Sequence, residues 1–270
     1  MSVQCAVAGI GLFTPRFANW AAFREARPSL LAEPGALVER TERVQPTGAL
    51  LDKHARRRAS ELTKGMSDAY QQALEQAGFA PATVSAVFGS ALGEASITIG
   101  LLDQLWRGPG ALSPMRFAAS VHNAASGVVS IGTKNMGFTT ALGADHDTPA
   151  MALLEGMAFV LSHGTPAIVV CGDEAAPADL VSGDEGWEFL TCAIALAPTD
   201  GALPSLPRIS APSPGVGHAS AAAPWPPQLS KNPVVGLLDL ITALEDGEHT
   251  EVRLDRGRGR GFGTTIVRLT

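Results

Sequence analysis

The sequence predicts an α/β fold with a sheet covered on both faces. Three observations carry that prediction. Strand-like runs alternate with helix-like stretches, the strand runs are apolar throughout, and small residues abound in them. Of the 270 residues 46% are hydrophobic and 17% charged, so the chain can bury a substantial core. Glycine is high at 29 and tyrosine occurs once, which points to closely packed helices and strands around few aromatic rings.

The elements follow in order. "VQCAVAGIGLF" (3–13) reads as a buried strand that stops at Thr14-Pro15. Residues 16–50 hold several prolines and read as irregular chain with short helices. From Lys53 to Gly78 apolar residues recur at helical spacing through Leu62, Met66, Tyr70, Ala73, Leu74 and Ala77, and Gly78 is a natural stop. "VSAVFGSA" (84–91) is a second strand, "SITIGLLDQLW" a helix, and "SVHNAASGVVSIGTK" (120–134) a helix crowded with small residues. "TTALGA" (139–144) is a short strand, Pro149 to Ser162 an apolar helix, and "PAIVVCGDE" (166–174) and "EFLTCAIALAP" (188–198) are further strands. The character then changes: eight of the 19 prolines fall in 201–233, which reads as an extended connector. "VVGLLDLITALEDG" (234–247) restores an amphipathic helix, and strands are expected around "TEVRLD" and "GTTIVRL".

Composition narrows the function classes. A net charge of −6 gives no electrostatic footprint for nucleic acid. Cys5, Cys171 and Cys192 are far apart in apolar runs, with no CxxC spacing, so a reducing, cytoplasmic setting is expected. The N-terminus has no basic region and no cleavage site, and no apolar run is long enough to span a membrane. No His/Cys/Asp spacing supports a metal, and no cofactor is expected. "GIGLF" (9–13) gives a GxG after a strand, but the third glycine and the downstream acid of a dinucleotide site are missing. "RGRGRGF" (256–262) looks like an RNA-binding repeat, although three arginines before a strand more often make a solvated surface. "HARRRA" (54–59) could meet an acidic partner, against the plainer reading of a solvated helix start.

The chemistry-bearing stretch is "TTALGADHDTPAMALLEG" (139–156). A strand runs into Asp145-His146-Asp147 and then directly into a helix, and such a turn is where many enzymes mount a nucleophile. Counted along the chain, the order of segments resembles the β-ketoacyl synthase family of the thiolase fold. "LLEGMAFVLSHGTPAIVVCGDE" fills that family's helix and strand after the nucleophile without a gap, and Gly137 takes the glycine before the nucleophile strand. His146 then falls where the family carries its cysteine, in a turn of the type DTACSSSL. "PVVGLLDLITALEDG" and "GRGFGTTIVRL" match the family's late helix and its FGGTN strand.

The resemblance implies a layered αβα thiolase-like fold, with the N-terminal half complete over 1–200. A Pro-rich connector over 201–232 and a strongly reduced C-terminal half over 233–270, packed on the same domain, complete the expectation. Two departures decide the activity it implies. The cysteine is absent, and so is most of the half that carries the HGTGTP and GH histidines. A condensing enzyme needs a thiolate and polar donors for the developing oxyanion. "HGTP" (163–166) is no substitute, since His163 sits at a helix end; His218 in "GVGHASAAAP" is a candidate remnant of the GH histidine.

"SPMRFAASVHNAASG" (113–127), the "TAL" strand and the compressed C-terminus resemble the short chain-length factors of aryl-polyene clusters. That implies a subunit with no independent activity. It would pair with a full-length β-ketoacyl synthase, contact acyl carrier protein indirectly, and shape the far end of the acyl tunnel. The residues expected at the tunnel or interface are His122, Asn123, Thr139, Thr140, Ala141, Leu142, Gly143, Ala144, Asp145, His146 and Asp147, none of them catalytic. Two alternatives stay open: a residual acyl-thioester hydrolase or malonyl decarboxylase using His146, and a structural homodimer without an acyl role.

Overall fold

A computed structural model describes residues 3–32, 43–108, 110–181, 185–200, 205–218, 222–247 and 250–268. Strand β1 (Gln4–Phe13) opens the chain, followed by α1 (Trp20–Ala32), the short α2 (Lys53–Arg58) and the long α3 (Glu61–Ala77). Strand β2 (Ser85–Gly89) leads into α4 (Ala95–Arg107), α5 (Pro114–Ser120) and α6 (Ala124–Thr133). Then come β3 (Thr139–Leu142), a 3-10 turn (Asp145–Asp147), α7 (Thr148–His163), β4 (Ala167–Asp173) and β5 (Leu190–Ala197). The chain closes with β6 (Arg208–Ser210), β7 (Ser213–Pro214), α8 (Pro227–Ser230), α9 (Val235–Asp246), β8 (Glu251–Arg253) and β9 (Phe262–Val267).

The described strands form one sheet in the order β3-β2-β4-β5-β1-β6-β9-β7, with β8 on β9. β2 runs parallel to β3 and β4, and the remaining pairs are antiparallel. Alternation along β4 shows why its sequence is apolar without a break. Val169 and Cys171 face a core under α1, α7 and α9, while Ile168 and Val170 face a second core under α3 and α6. A strand sandwiched this way has no solvated face to mark with polar residues. The "GIG" of β1 serves the same packing. A Cβ on Gly9 or Gly11 would run into the carbonyl oxygens of Ala73 and Ala69, so the glycines let α3 lie directly on the strand.

Four local expectations need correction. The helix over 53–78 is two helices: Ala59 is extended (ψ 137°), and Ser60 Oγ accepts from Thr63 N to cap α3. The helix over 120–134 begins at Ala124, after a separate α5 capped by Ser113 and started by Pro114. The extended connector expected over 201–232 carries short elements where it is described. β6 lies between β1 and β9, Ile209 is buried, and the Trp225 indole donates to Asp239 Oδ1 at 2.8 Å. A three-residue strand is too short for periodicity to announce it. The arginine repeat is also not simply a solvated surface. Arg256 turns inward, bidentate to Asp239 at 2.6 and 2.7 Å, because its left-handed backbone (φ 51°) folds the loop back on α9.

Candidate functional site

The site begins at the end of the sheet. Thr139, Thr140, Ala141 and Leu142 form β3, each half-buried, paired to β2 on one side and to no described strand on the other. Around this edge the surface is apolar. Helix α4 packs on α5, α5 on α6, and α6 on β3. These elements and the adjoining turn expose Trp106 (91%), Met136 (90%), Ile131, Leu102, Phe117, Val121 and Phe138. Unpaired strand edges and large exposed apolar patches are features that mark interaction sites in general.

Gly143 and Ala144 carry the chain from β3 into the turn. His122, exposed at the start of α6, lies over Gly143, where a Cβ would come within 3.0 Å of its ring. Asn123, also exposed, keeps its side chain out of the cap, and its carbonyl accepts from Gly127 N and Ser126 Oγ. The turn itself is stapled from below. Thr148 Oγ1 donates to the Asp145 carbonyl at 2.6 Å and accepts from Ala144 N at 3.0 Å. Asp145 takes a left-handed conformation (φ 51°), a position an aspartate tolerates better than most residues.

The three residues of the cluster do different things. Asp145 is mostly exposed, and its carboxylate stays 4.0 Å from His146 Nε2, too far for a hydrogen bond. His146 is 19% exposed; burial and the nearby Arg258 hold its imidazole below the ordinary range, although Asp145, Asp255 and Asp147 pull it back up. That balance favours its neutral form. Asp147 is buried and accepts Arg260 N with both oxygens, at 2.9 and 3.2 Å.

Asp147 thereby ties the turn to the loop 255–261. That loop wraps its own carboxylate: Asp255 accepts from Gly257, Gly259 and Gly261 N–H and from Arg253 Nε at 2.6–3.0 Å. Burial opposes that charge, but the Arg253 bond and the Gly257 and Gly261 N–H groups outweigh it and hold Asp255 below the usual carboxylate range. On the same loop His218 Nε2 lies 3.3 Å from the Gly261 carbonyl. His218 therefore meets the same loop that Asp147 ties to the turn. His163, by contrast, ends α7 and stacks on Phe159.

Sequence reasoning missed two buried acids at the same end of the sheet. Asp173, fully buried, accepts from Ser90 Oγ, Ala91 N and Leu92 N at 2.8–3.0 Å; burial outweighs these bonds and pushes it up to about 6. Glu94, also buried and raised chiefly by burial, accepts from Ser60 Oγ and Thr63 Oγ1. The "GDE" ending an apolar strand and the "GE" after "SAL" were the available signals. Cys171 and Cys192 face each other across β4 and β5, and burial pushes both thiols well up. Among the described residues no group of acids, histidines and cysteines could hold a metal ion, and no helix is long and apolar enough to cross a membrane.

A strand-turn-helix at the end of a layered αβα sheet, closed over by a glycine-rich loop, defines a ketosynthase-like thiolase fold at reduced length. The family model for the β-ketoacyl synthase N-terminal domain matches residues 32–249. The chain belongs to that family. Among solved structures it is similar to a chain of the ketosynthase ApeO in complex with its chain length factor ApeC from Xenorhabdus doucetiae. That match has 16% identity and TM-score 0.70, and covers 98% of this chain and 99% of that one. It is also similar to the ishigamide ketosynthase/chain length factor (16% identity, TM-score 0.59, covering 74% of this chain and 63% of that one). A β-ketoacyl synthase from Burkholderia phymatum STM815 aligns at 14% identity and TM-score 0.57, covering 77% of this chain and 63% of that one. No curated protein sequence matches.

Proposed function

We propose that the chain is a non-catalytic, ketosynthase-like chain-length factor that pairs with a full-length β-ketoacyl synthase and lines part of its acyl tunnel. The observation that carries this is the uncovered β3 edge with a histidine on the turn that follows it. β3 and the apolar side chains of α4, α5 and α6 would form the interface. Residues 139–147, with His122 over Gly143, would face the partner's tunnel, where their bulk limits chain extension. Among the described residues His146 has neither a hydrogen-bonded acid to orient it nor a thiolate beside it, so acyl transfer falls to the partner. Solved ketosynthase–chain length factor complexes of the same fold support the reading.

The test is co-expression with the ketosynthase encoded nearest to the chain, followed by size-exclusion chromatography with mass detection. A one-to-one complex is expected, lost in Ala141→Arg. A lone monomer or homodimer overturns the reading. The rival, a hydrolase or decarboxylase built on the neutral His146, requires thioester turnover by the isolated chain that disappears in His146→Ala.

A further inference from the structure

A recess of about 450 Å³ lies between α1, α9, β8 and the chain around Trp225, a size usual for small-molecule sites. It shares no lining residue with the β3 edge, with α4 to α6 or with the 139–147 turn. One stripe of α9 floors it: Asp239, Thr242, Ala243 and Asp246, spaced to share a helix face.

At each end of the stripe an aspartate holds an arginine by part of its guanidinium. Asp239 accepts from Nε and Nη2 of Arg256, and Asp246 accepts from Nη2 of Arg27 with both oxygens at 2.6 and 2.7 Å. Among the described residues, Nη1 of Arg256 and Nε and Nη1 of Arg27 donate to nothing. Arg253 lines the recess too, and Asp255 takes only its Nε. The acids are already engaged: Asp239 by Arg256 and the Trp225 indole, Asp246 by Arg27, and Glu251 by Gly217 N. An acid behind a guanidinium orients it and leaves its other N–H groups to donate. The recess therefore offers donors and asks for acceptors.

Thr242 stands midway between the two aspartates and decides the ligand. It is 6% exposed, and its Oγ1 is buried with no hydrogen-bond partner among the described residues. A buried hydroxyl left unpaired is costly, and a ligand acceptor would relieve it. Ala243 and Val252 beside it are apolar and suit methylenes.

We propose that the recess binds a linear dicarboxylate with a carbonyl at its centre. One carboxylate meets Arg27, the other meets Arg253 and Arg256, and the central oxygen accepts from Thr242 Oγ1. Asp239 and Asp246 are seven residues apart, about 10 Å along the helix, which suits a chain of about seven carbons. This goes beyond pairing with a ketosynthase, because every group invoked belongs to this chain and none to the pairing surface.

Calorimetric titration of the full chain with 4-oxoheptanedioic acid and with heptanedioic acid tests it. The oxo acid is expected to bind about fivefold more tightly, the size of one net hydrogen bond. Thr242→Val keeps the shape and removes the hydroxyl, so it should erase that preference while melting no lower than the unaltered chain. Arg27→Gln, which leaves Asp246 within reach of water, should weaken both diacids about tenfold. 4-Oxopentanoic acid, with one carboxylate, should bind the unaltered chain about tenfold more weakly than the oxo diacid. The proposal is overturned if neither diacid binds, if the two bind equally, if Thr242→Val keeps the preference, or if Arg27→Gln changes nothing. None of these readouts involves the ketosynthase, so a failure here is separate from a failure of pairing.

Discussion

Replacing Asp173 by asparagine should change how stability responds to pH. Asp173 sits at the end of β4, fully buried, and three donors from residues 90–92 point at it. Two effects compete. The donors favour the charged form, while removal from water disfavours it, and the balance lifts the group from its ordinary 3.8 to about 6. A raised carboxyl binds its proton more tightly in the folded state than in the unfolded one. Its contribution is therefore full below about pH 4 and is lost as pH rises through about 6. A shift of about two units corresponds to ~3 kcal/mol between those limits. Asparagine does not titrate. Urea unfolding of both proteins from pH 4 to pH 8 should show their stability difference falling, at the unaltered protein's expense, by ~2–3 kcal/mol, mostly before pH 7. Comparing the two proteins cancels the other titrating groups. A difference flat across that range would refute the reasoning and show that the three donors keep Asp173 ionised.

Other outcomes follow from the same structure. Asp255→Ala removes one acceptor for four donors and should cost ~3–5 kcal/mol, seen as a melting temperature lower by about 10 °C. Gly11→Ala places a Cβ against the Ala69 carbonyl and should prevent β1 and α3 from closing, with loss of folded yield on expression. His146→Ala should melt within about 2 °C of the unaltered protein, because among the described residues no hydrogen bond to its ring holds the turn, and the partner complex should stay active while its product lengthens. A large drop in melting temperature would mean that the ring braces the turn.

The sequence shows long elements and hides short ones, for physical reasons. β4 and β5 are continuous apolar runs because both faces are covered, and α3 and α7 end at glycines in left-handed conformation. Such signals extend over many residues. β6 owes its place to pairing with β1 and β9, which no local pattern encodes. The break at Ala59-Ser60 was legible in principle, since a serine before Glu61 is a helix-start signal. It was overridden by apolar periodicity that runs through it. The turn could be located by counting along the chain, but adjacency of Asp145, His146 and Asp147 said nothing of contact. Asp145 points to solvent, Asp147 turns to a loop more than a hundred residues later, and His146 lies between them with no hydrogen-bonded partner among the described residues. Asp173 and Glu94 escaped notice because single acids at strand and loop ends are common, and only burial gives these two their altered chemistry.

The choice between a pairing subunit and a residual enzyme turns on backbone donors. Cleaving or forming a thioester develops negative charge on the carbonyl oxygen, and an enzyme meets it with N–H groups free to point there. Here the loop that approaches the turn has already committed its donors. Gly257, Gly259 and Gly261 N–H all go to Asp255, and Arg260 N–H goes to Asp147. Within the turn, Asp147 N–H is bonded to the Ala144 carbonyl and Thr148 N–H to that of Asp145. Two carboxylates, Asp147 and Asp255, therefore hold the N–H groups that this loop brings to the turn. The wiring locks the shape of the turn rather than preparing it for a transition state. A subunit that lends a wall to its partner's tunnel needs that rigidity. A hydrolase using His146 would first have to break the bonds from Arg260 to Asp147 and from Gly261 to Asp255. Asp147→Asn offers the discriminating case: it should raise any thioester hydrolysis if those donors were being withheld from a working site, and leave it absent if the turn is only a wall.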